Sequence, residues 1–340
     1  MRIGIAFTLK PDGPPPPGAP DDAHEEFDSP QTVRAIADVL TSLGHTATEL
    51  GDGRPFLEAV LRDPPDLVFN FAEGAGVSRS RESRVPGVCE MLGIPYTGSD
   101  PLALGLALDK DLTRKLAESL GVTIPKGITL SPPPDEYDGD CAEFAPILHE
   151  AGLTLPVIAK PTCEGSSKGI RDRCLIHRPE DFGPTVVRLW RDYRQPVLVE
   201  EFIRGAEVTV GVVGNDPPQP LGVMQIVPKQ SADDFVYSVE VKRNWQDAVE
   251  YVAPAKLPPA ITRALEADAL AIFTGLGCRD VARLDFRVRD GVPYFLEVNP
   301  IPGLNPDSGD LCYLAYRMGY TYPQLIGLIL DAAVTRCGLV

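Results

Sequence analysis

The chain has 340 residues and a formal net charge of −16, which argues against nucleic acid or an anionic membrane surface as a partner. Its length fits two or three subdomains, and its 44% hydrophobic and 24% charged residues are ordinary for a globular protein. The seven cysteines form no Cys-x-x-Cys pair and no zinc spacing with the four histidines. We therefore expect reduced thiols and a cytoplasmic location. The chain opens on a strand and has no apolar run of membrane-spanning length, so we expect no signal peptide and no membrane segment.

Strand and helix patterns alternate over the first hundred residues. The predicted strands are 2–8, 46–50 and 67–71, and the predicted helices are 30–44 and 55–62. Ser29 is a good helix cap, with Pro30 at the first helical position. This alternation predicts a small doubly wound domain with a parallel sheet.

Ligands of such sheets bind at the carboxyl ends of the strands. Two segments follow those ends here, a loop at 8–27 that contains the proline-rich stretch 10–20, and a Gly- and Arg-rich segment at 72–84. The second segment either orients a carboxylate or phosphate or is a solvated connecting loop. Farther along the chain we expect a linker or surface loop at 131–140 and an amphipathic helix at 258–276.

The stretch 155–169 combines a buried strand with a flexible flap. The strand carries Lys160, and the sequence Glu-Gly-Ser-Ser-Lys-Gly follows it, with Ser166 and Ser167 at its centre. Small residues let a backbone approach phosphates, while hydroxyl and N–H groups supply donors. The stretch lacks the P-loop pattern, and the chain has no Gly-x-Gly-x-x-Gly fingerprint.

Two strands near the end of the chain are predicted to form a hairpin that carries acidic residues. Strands at 281–288 and 294–299 are joined through Asp-Gly, a hairpin turn signal. The hairpin brings Asp285, Glu297 and Asn299 together beside Arg283, and such oxygen ligands suit Mg²⁺. The alternative is a hairpin with a charged solvent face. After the second strand, the turn Pro-Ile-Pro-Gly exposes N–H groups of the kind that bind anions.

Three motifs resemble the ATP-grasp ligases, most closely the D-alanine–D-alanine ligase branch. They are Arg-x-Asp-Phe followed by Phe-x-Glu-x-Asn-x-x-Pro-Gly-x-x-x-x-Ser, the flap Lys-Pro-x-x-x-Gly-Ser-Ser-x-Gly, and Leu-Gly-Ile-Pro-Tyr-Thr-Gly-Ser at 92–99. The resemblance implies an α/β fold with α+β character in the ATP-grasp part. It implies an N-terminal domain at 1–98, then two ATP-grasp subdomains at 99–200 and 201–340 that clamp ATP.

The resemblance also implies a role for each matching residue. The residues implied to bind ATP are Lys110, Lys160, Ser167, Glu200, Glu201, Phe202, Ile203, Glu207 and Lys242. The implied metal ligands, for two Mg²⁺ ions or Mn²⁺, are Asp285, Glu297 and Asn299. The implied catalytic residues are Arg283, Gly303, Ser166 and Glu26, with Glu25 left open as an alternative to Glu26. The residues implied to bind the second substrate are Ser308 and Arg243.

The sequence departs from the family pattern at three places where substrate is selected. The proline-rich stretch replaces a short Gly-rich loop, Asn70-Phe71 replaces His-Gly, and Arg243 replaces a tyrosine. An arginine binds carboxylate or phosphate bidentately, which a phenol does not.

Three functions therefore stay open. The first is a D-alanine–D-alanine ligase of cell-wall synthesis, and the second is a related ligase for other amino acids or short peptides. Both would convert ATP to ADP and phosphate through an acyl phosphate. The third is a nucleotide-binding regulatory protein without catalysis. The family resemblance also implies a homodimer.

Overall fold

The computed structural model describes residues 1–132, 144–230 and 234–339. The predicted linker at 131–140 lies outside the described residues from position 133 onward. Within the described residues the strands form three sheets, which have three, four and five strands in chain order.

The first sheet is parallel, with strand order β2-β1-β3. Its strands and the helices around it are β1 (Arg2–Phe7), α1 (Pro30–Ser42), β2 (Thr46–Gly51), α2 (Gly53–Arg62), β3 (Leu67–Phe71) and α3 (Arg84–Leu92). The Ser29 side chain caps α1 by accepting a hydrogen bond from the Thr32 N–H, as the sequence predicts. The predicted alternation of strands and helices is confirmed.

The second sheet is antiparallel, with strand order β4-β7-β5-β6. This part of the chain contains α4 (Pro101–Leu108), α5 (Lys110–Ser119), β4 (Gly127–Leu130), α6 (Ala145–Glu150), β5 (Val157–Pro161), β6 (Leu175–Ile176), α7 (Phe182–Tyr193) and β7 (Val197–Glu201). Helix α7 packs Phe182, Val186 and Leu189 against the sheet, which gives this region a hydrophobic core of its own.

The third sheet is also antiparallel, with strand order β10-β9-β8-β11-β12. Its elements are β8 (Ala206–Val213), β9 (Gln219–Pro228), α8 (Val239–Arg243), α9 (Trp245–Ala248), β10 (Val249–Val252), α10 (Pro259–Leu276), β11 (Val281–Arg289), β12 (Val292–Asn299), α11 (Asp310–Arg317) and α12 (Tyr322–Cys337). Helix α10 covers one face of the sheet, and α4 and α5 pack beside it against β12. On the opposite face, α11 covers the end of β8 at Gly211, and the other end carries polar side chains that line a cavity, among them Thr209 and Asp285.

The predicted hairpin is confirmed as β11 and β12. Asp290 and Gly291 form its turn with φ values of 52° and 80°, the left-handed conformation that a two-residue hairpin turn of this kind requires. The strict alternation of the second strand is interrupted, because Asp285 lies opposite Glu297 whereas Phe286 lies opposite Phe295. This bulge lets Phe295 share the core face with Val298, three positions later.

One hydrophobic core joins the first and third sheets. It contains Ile5 and Phe69 of the first sheet together with Met224 of the third sheet and Leu325 of α12, and α1 packs directly on α12. Among the described residues, none of the helices combines the length and apolar character that crossing a bilayer requires.

Candidate active site

Three adjoining cavities lie where the sheets meet. The inter-sheet cleft, between the second and third sheets, has a volume of about 710 Å³. The inner cavity, of about 690 Å³, shares Glu297 with the cleft. The outer cavity, of about 1060 Å³, shares Arg283 and Gly303 with the inner one. Every site residue predicted from the sequence lines at least one of these three cavities.

The inter-sheet cleft contains the whole set predicted to bind ATP except Lys110, which lines the inner cavity. Phe202 and Ile203 follow the end of β7 and are buried, and Phe202 packs in a small apolar cluster with Ile158 and Val236. This cluster gives the cleft an apolar wall, and charged and polar side chains line the rest of it, a combination that is typical of small-molecule sites.

Arg287 is a member of the cleft that the sequence analysis missed. Its guanidinium donates to Glu207 and to the Ile203 carbonyl at 2.9 Å, and it lies 4.6 Å from the centre of the Phe202 ring. It therefore connects three of the residues predicted to bind ATP. The sequence spacing indicates this position, because Arg287 follows Arg283 and Asp285 at intervals of two residues and therefore faces the same side of β11.

Two lysines reach the cleft from opposite sides. β5 delivers Lys160, as predicted, and its amino group lies 2.6 Å from Glu200 on the neighbouring strand β7. Lys242, in the last turn of α8, lies 5.1 Å from the centre of the Tyr237 ring. These positive charges suit an anionic ligand that extends along the cleft.

The flap turns sharply above the site. Ser166 and Ser167 both adopt left-handed backbone angles, with φ of 48° and 59°, and the Ser167 hydroxyl donates to the Tyr237 carbonyl at 3.0 Å. Gly169 has no room for a side chain, since a Cβ there would lie 2.4 Å from Pro161. The flap is thus folded back over the end of β5.

The predicted metal ligands lie together on paired strands. Asp285 and Glu297 are direct partners in the β11–β12 register, and the Asn299 amide nitrogen lies 3.4 Å from the Asp285 carboxylate. The Thr209 hydroxyl donates to Asp285 at 2.8 Å. Within the described part of the chain no three His, Cys, Asp or Glu side chains form a metal-binding group. The predicted set is therefore two carboxylates and one amide.

Burial opposes the charge of both carboxylates, but the nearby charges differ between them. Burial opposes the charge of Glu297, but Lys110, Arg283 and Lys160 outweigh it and hold the pKa of Glu297 well below its ordinary value. At Asp285 burial prevails over the nearby Arg283, and the Glu297 charge adds to it, so the pKa of Asp285 is raised. A bound cation between Asp285 and Glu297 would therefore stabilise the ionised form of both carboxylates.

Arg283 is held at the centre of the site. Its guanidinium donates to Asp285 at 2.9 Å and to Asp310 at 3.3 Å, and it is buried. Gly303, in the turn after β12, lines the inner and outer cavities together with Arg283. This turn is kept tight because Gly309 has no Cβ, which would lie 2.4 Å from the Gly303 carbonyl oxygen.

Lys110 and Glu26 form the far side of the inner cavity. The Lys110 amino group lies 3.0 Å from Glu297 and also donates to the Glu164 carbonyl. Glu26 is buried under the flap, where Arg81 donates to both of its oxygens at 2.8 and 2.9 Å. Arg81 is only 1% exposed and was not predicted as a site residue; the solvated-loop alternative for its segment is therefore wrong at this position.

Glu26 has further donors besides Arg81. The Lys168 amino group lies 3.2 Å from it, and the Gly165 N–H also donates to it. These cations overcome the effect of burial and keep the pKa of Glu26 below its ordinary value. Its oxygens are therefore fully engaged within the protein.

The residues predicted to bind the second substrate line the outer cavity. Ser308 is exposed there, whereas Arg243 donates to Asp21 at 2.8 Å and to Glu25 at 2.8 Å. Arg243 thus ties α8 to the loop at 8–27 across the rim of the cavity. Of the two open glutamates, Glu25 lies at this rim and Glu26 lies inside.

Comparison with known proteins identifies relatives of the chain. The family model "D-ala D-ala ligase C-terminus" matches residues 117–331. A D-alanine–D-alanine ligase of Pelotomaculum thermopropionicum is 31% identical over 315 residues, which cover 91% of this chain and 93% of the relative.

Solved structures share the fold. The D-alanine–D-alanine ligase of Bacillus anthracis complexed with ATP superposes with a TM-score of 0.71 at 20% identity, covering 100% of this chain and 99% of its own. The VanG D-Ala:D-Ser ligase of Enterococcus faecalis gives 0.73 at 22% identity, covering 98% and 99%. Together with the sequence matches, these findings confirm the predicted ATP-grasp type of α/β fold, and the chain belongs to the D-alanine–D-alanine ligase family.

Proposed function

We propose that the protein is an ADP-forming ligase of the D-alanine–D-alanine ligase type, which uses ATP to join two amino acids through an amide bond. The observation that carries this proposal is the position of Glu297, whose side chain lines both the inter-sheet cleft and the inner cavity. A nucleotide in the cleft and a carboxylate substrate in the inner cavity would meet at this wall. Membership of the ligase family supports the same reaction.

The inter-sheet cleft is the ATP site in this proposal. Its apolar wall at Phe202 and Ile203 would pack against the base, and Glu207 would bind the ribose. Lys160 and Lys242 would neutralise phosphate oxygens. Phosphoryl transfer depends mainly on positioning and on stabilisation of charge, and a cleft with fixed cations supplies both.

Asp285, Glu297 and Asn299 fit Mg²⁺ and would hold it. All three offer oxygen donors, the type that this cation prefers, and two largely buried carboxylates lie directly opposite one another on paired strands. Two ions, or Mn²⁺ in their place, match the family resemblance. Bound Mg²⁺ would supply neutralisation of the phosphate charge.

The reaction has two steps. An oxygen of the first substrate's carboxylate attacks the γ-phosphorus of ATP. The bond between the γ-phosphorus and the oxygen that bridges it to the β-phosphate breaks, and the products are an acyl phosphate and ADP. The neutral amine of the second substrate then attacks the acyl carbon, the bond between this carbon and the phosphate oxygen breaks, and the amide forms as phosphate leaves and the amine nitrogen loses one proton to phosphate or solvent.

Residues around the inner and outer cavities have separate tasks in this scheme. Arg283 and the Gly303 N–H stabilise the oxyanion of the second step. Lys110 lies beside the transferred phosphoryl group, Ser166 orients the first substrate, and Ser308 binds the carboxylate of the second.

Nucleotide turnover with a panel of D- and L-amino acids tests the proposal. We expect amino-acid-dependent release of ADP and phosphate, with a product whose mass equals two amino acids less one water. Turnover with D-alanine alone indicates a D-alanine–D-alanine ligase, and turnover with other pairs indicates a related ligase. Absence of turnover with every amino acid overturns the ligase function and leaves a nucleotide-binding protein without catalysis.

We also propose a cytoplasmic protein that forms a homodimer. Among the described residues six cysteines are free, and five of them are buried, which suits a reducing compartment. The dimer follows from the family resemblance alone. Light scattering of the purified protein tests it, and a monomeric mass contradicts it.

A further inference from the structure

The inner cavity contains more carboxyl groups than the reaction uses. Asp28, Glu73 and Glu82 all line it. Among the described residues, none of these three carboxyls has a cationic side chain within 4.0 Å. Glu82 is only 6% exposed and also has no hydrogen-bond partner for its side chain in the described part of the chain. An unpaired carboxyl in this position is costly unless a ligand supplies the partner.

The nearby cations are already engaged elsewhere. Arg81 and Lys168 bind Glu26 and Glu164, and Lys110 pairs with Glu297. Burial, followed by the charges of Glu82, Glu26 and Asp28, raises the pKa of Glu73 well above its ordinary value. The acidic groups are therefore close enough to repel one another, and the charges of Arg81 and Lys110 offset only part of this effect, since burial still raises the pKa of Glu82 to about 7.

The position of the inner cavity indicates that the first substrate, and not the second, would contact these carboxyls. One end is formed by Lys110 and Glu297, where the carboxylate of the first substrate must reach the phosphoryl group. Asp28, Glu73 and Glu82 also line this cavity. A first substrate activated at its carboxylate would direct its remaining groups toward them.

We propose that the inner cavity takes a basic amino acid as the carboxylate donor, with the α-ammonium and a second cationic group both bound by Asp28, Glu73 and Glu82. This inference rests on the proposed ligase function. An amino acid with a neutral side chain carries a single ammonium, which offsets one carboxylate and leaves the others unpaired. A diamino acid supplies a second positive charge inside the same cavity.

Pairs of matched amino acids test the donor class on the unaltered enzyme. Lysine against norleucine and ornithine against norvaline differ mainly in the terminal ammonium, and each is assayed in both chiral forms. We expect kcat/KM for ADP release to be roughly 100-fold higher with a basic donor than with its neutral counterpart, since loss of a buried charge pair has an effect of this order. Fragmentation of the product by mass spectrometry identifies which amino acid supplied the carboxyl group.

Substitutions in the inner cavity provide a second test of the preference for a basic donor. Glu82→Gln and Glu73→Gln keep the shape of the side chain and remove its charge, and each is expected to reduce the preference for the basic donor about 10-fold or more. Glu58→Gln, on the exposed face of α2, is the matched control and is expected to leave the preference unchanged. Equal use of lysine and norleucine, or a preference that Glu82→Gln does not alter, overturns the inference. Such results would mean that the carboxyls hold their protons and bind a neutral group.

Failure of the ligase function gives a different result. In that case no amino acid promotes ADP release, and calorimetry with a non-hydrolysable ATP analogue and Mg²⁺ then decides the inference by itself. Binding of lysine or ornithine that Glu82→Gln weakens supports a cavity for basic amino acids. Binding no tighter than that of norleucine overturns it.

Discussion

Arg287 and Glu207 form a largely buried ion pair across β11 and β8, where they are direct register partners. The same guanidinium donates to the Ile203 carbonyl and stacks on the Phe202 ring. One side chain therefore fixes the strand, the connection after β7 and the wall of the inter-sheet cleft.

Replacement of this arginine is expected to destabilise the protein strongly. Arg287→Met leaves the Glu207 charge and the Ile203 carbonyl without their donor, and the free energy of unfolding should fall by about 3–5 kcal/mol. Glu207→Gln keeps an acceptor for Arg287 and should lose about 1 kcal/mol. Urea denaturation measures both. Arg263→Met, on an exposed position of α10, is the control, and a loss in Arg287→Met no larger than in this control contradicts the prediction.

Glu297 is expected to be essential for turnover but not for the fold. Glu297→Gln removes a charge that faces Lys110 at 3.0 Å and that is proposed to hold Mg²⁺, so amide formation should fall about 100-fold or more. The circular dichroism spectrum should match that of the wild type. Glu250→Gln, at an exposed position of β10 in the same sheet, should retain full activity. Near-wild-type turnover by Glu297→Gln would reject the metal assignment.

The raised pKa of Asp28 predicts that the stability of the protein depends on pH. Burial raises the pKa of Asp28 from 3.8 to about 7, so between these values the unfolded chain releases the proton and the folded chain keeps it. Rising pH therefore favours unfolding across this interval, and the loss is complete above about pH 7. Asp28→Asn removes the loss, so its free energy of unfolding should exceed that of the wild type by roughly 4 kcal/mol at pH 8 and by little at pH 4.

Urea denaturation at both pH values measures this difference. Asp38→Asn, on an exposed position of α1, makes the same chemical change outside the cavity and should show no gain that depends on pH. An equal gain for Asp28→Asn at pH 4 and pH 8 would show that the folded carboxyl is not protonated in this interval.

Two roles of Arg243 can be distinguished by experiment, namely contact with the second substrate and attachment of the loop at 8–27. The sequence suggests contact with the second substrate, and the structure places its guanidinium on Asp21 and Glu25. If Arg243 acts by holding the loop at 8–27, Arg243→Ala and Glu25→Ala should each raise KM for the amino acid, and the double variant should be no worse than either. The ion pair is partly exposed, so stability should change by less than about 1 kcal/mol.

The double-mutant cycle measures this coupling directly. Fully additive effects of the two substitutions, with Arg243→Ala alone raising KM, would mean that Arg243 contacts the substrate instead. Digestion by a protease at the proline-rich stretch 10–20 gives an independent measure, since release of the loop should accelerate it.

Features encoded within a few residues could be predicted from the sequence. The Asp-Gly turn fixes the β11–β12 hairpin because both of its residues tolerate positive φ, and the hairpin then places Asp285 opposite Glu297. The same holds for Lys160, which a short buried strand delivers. The bulge at Leu296 could not be predicted, because it reflects how β12 packs on its neighbours.

Buried ion pairs between distant segments could not be predicted either. Arg81 and Glu26 are 55 positions apart, and both belong to segments whose charges look like those of solvated loops. Lys168 reaches Glu26 across 142 positions. Only the approach of the flap to the first sheet buries these charges, and no local pattern specifies that approach. The predicted roles of the site residues and the domain limits stay predictions.

The core shared by the first and third sheets has a consequence for nucleotide exchange. Those two sheets form a single base, while the second sheet has its own core and returns to the base through the chain around Gly205. A Cβ at Gly205 would lie 1.9 Å from the Val288 carbonyl oxygen, so this crossing is anchored to β11. If the cleft binds ATP as proposed, we expect ADP release to involve movement of the second sheet relative to this base, with the chain at Gly205 held against β11, the strand that carries Arg283 and Asp285.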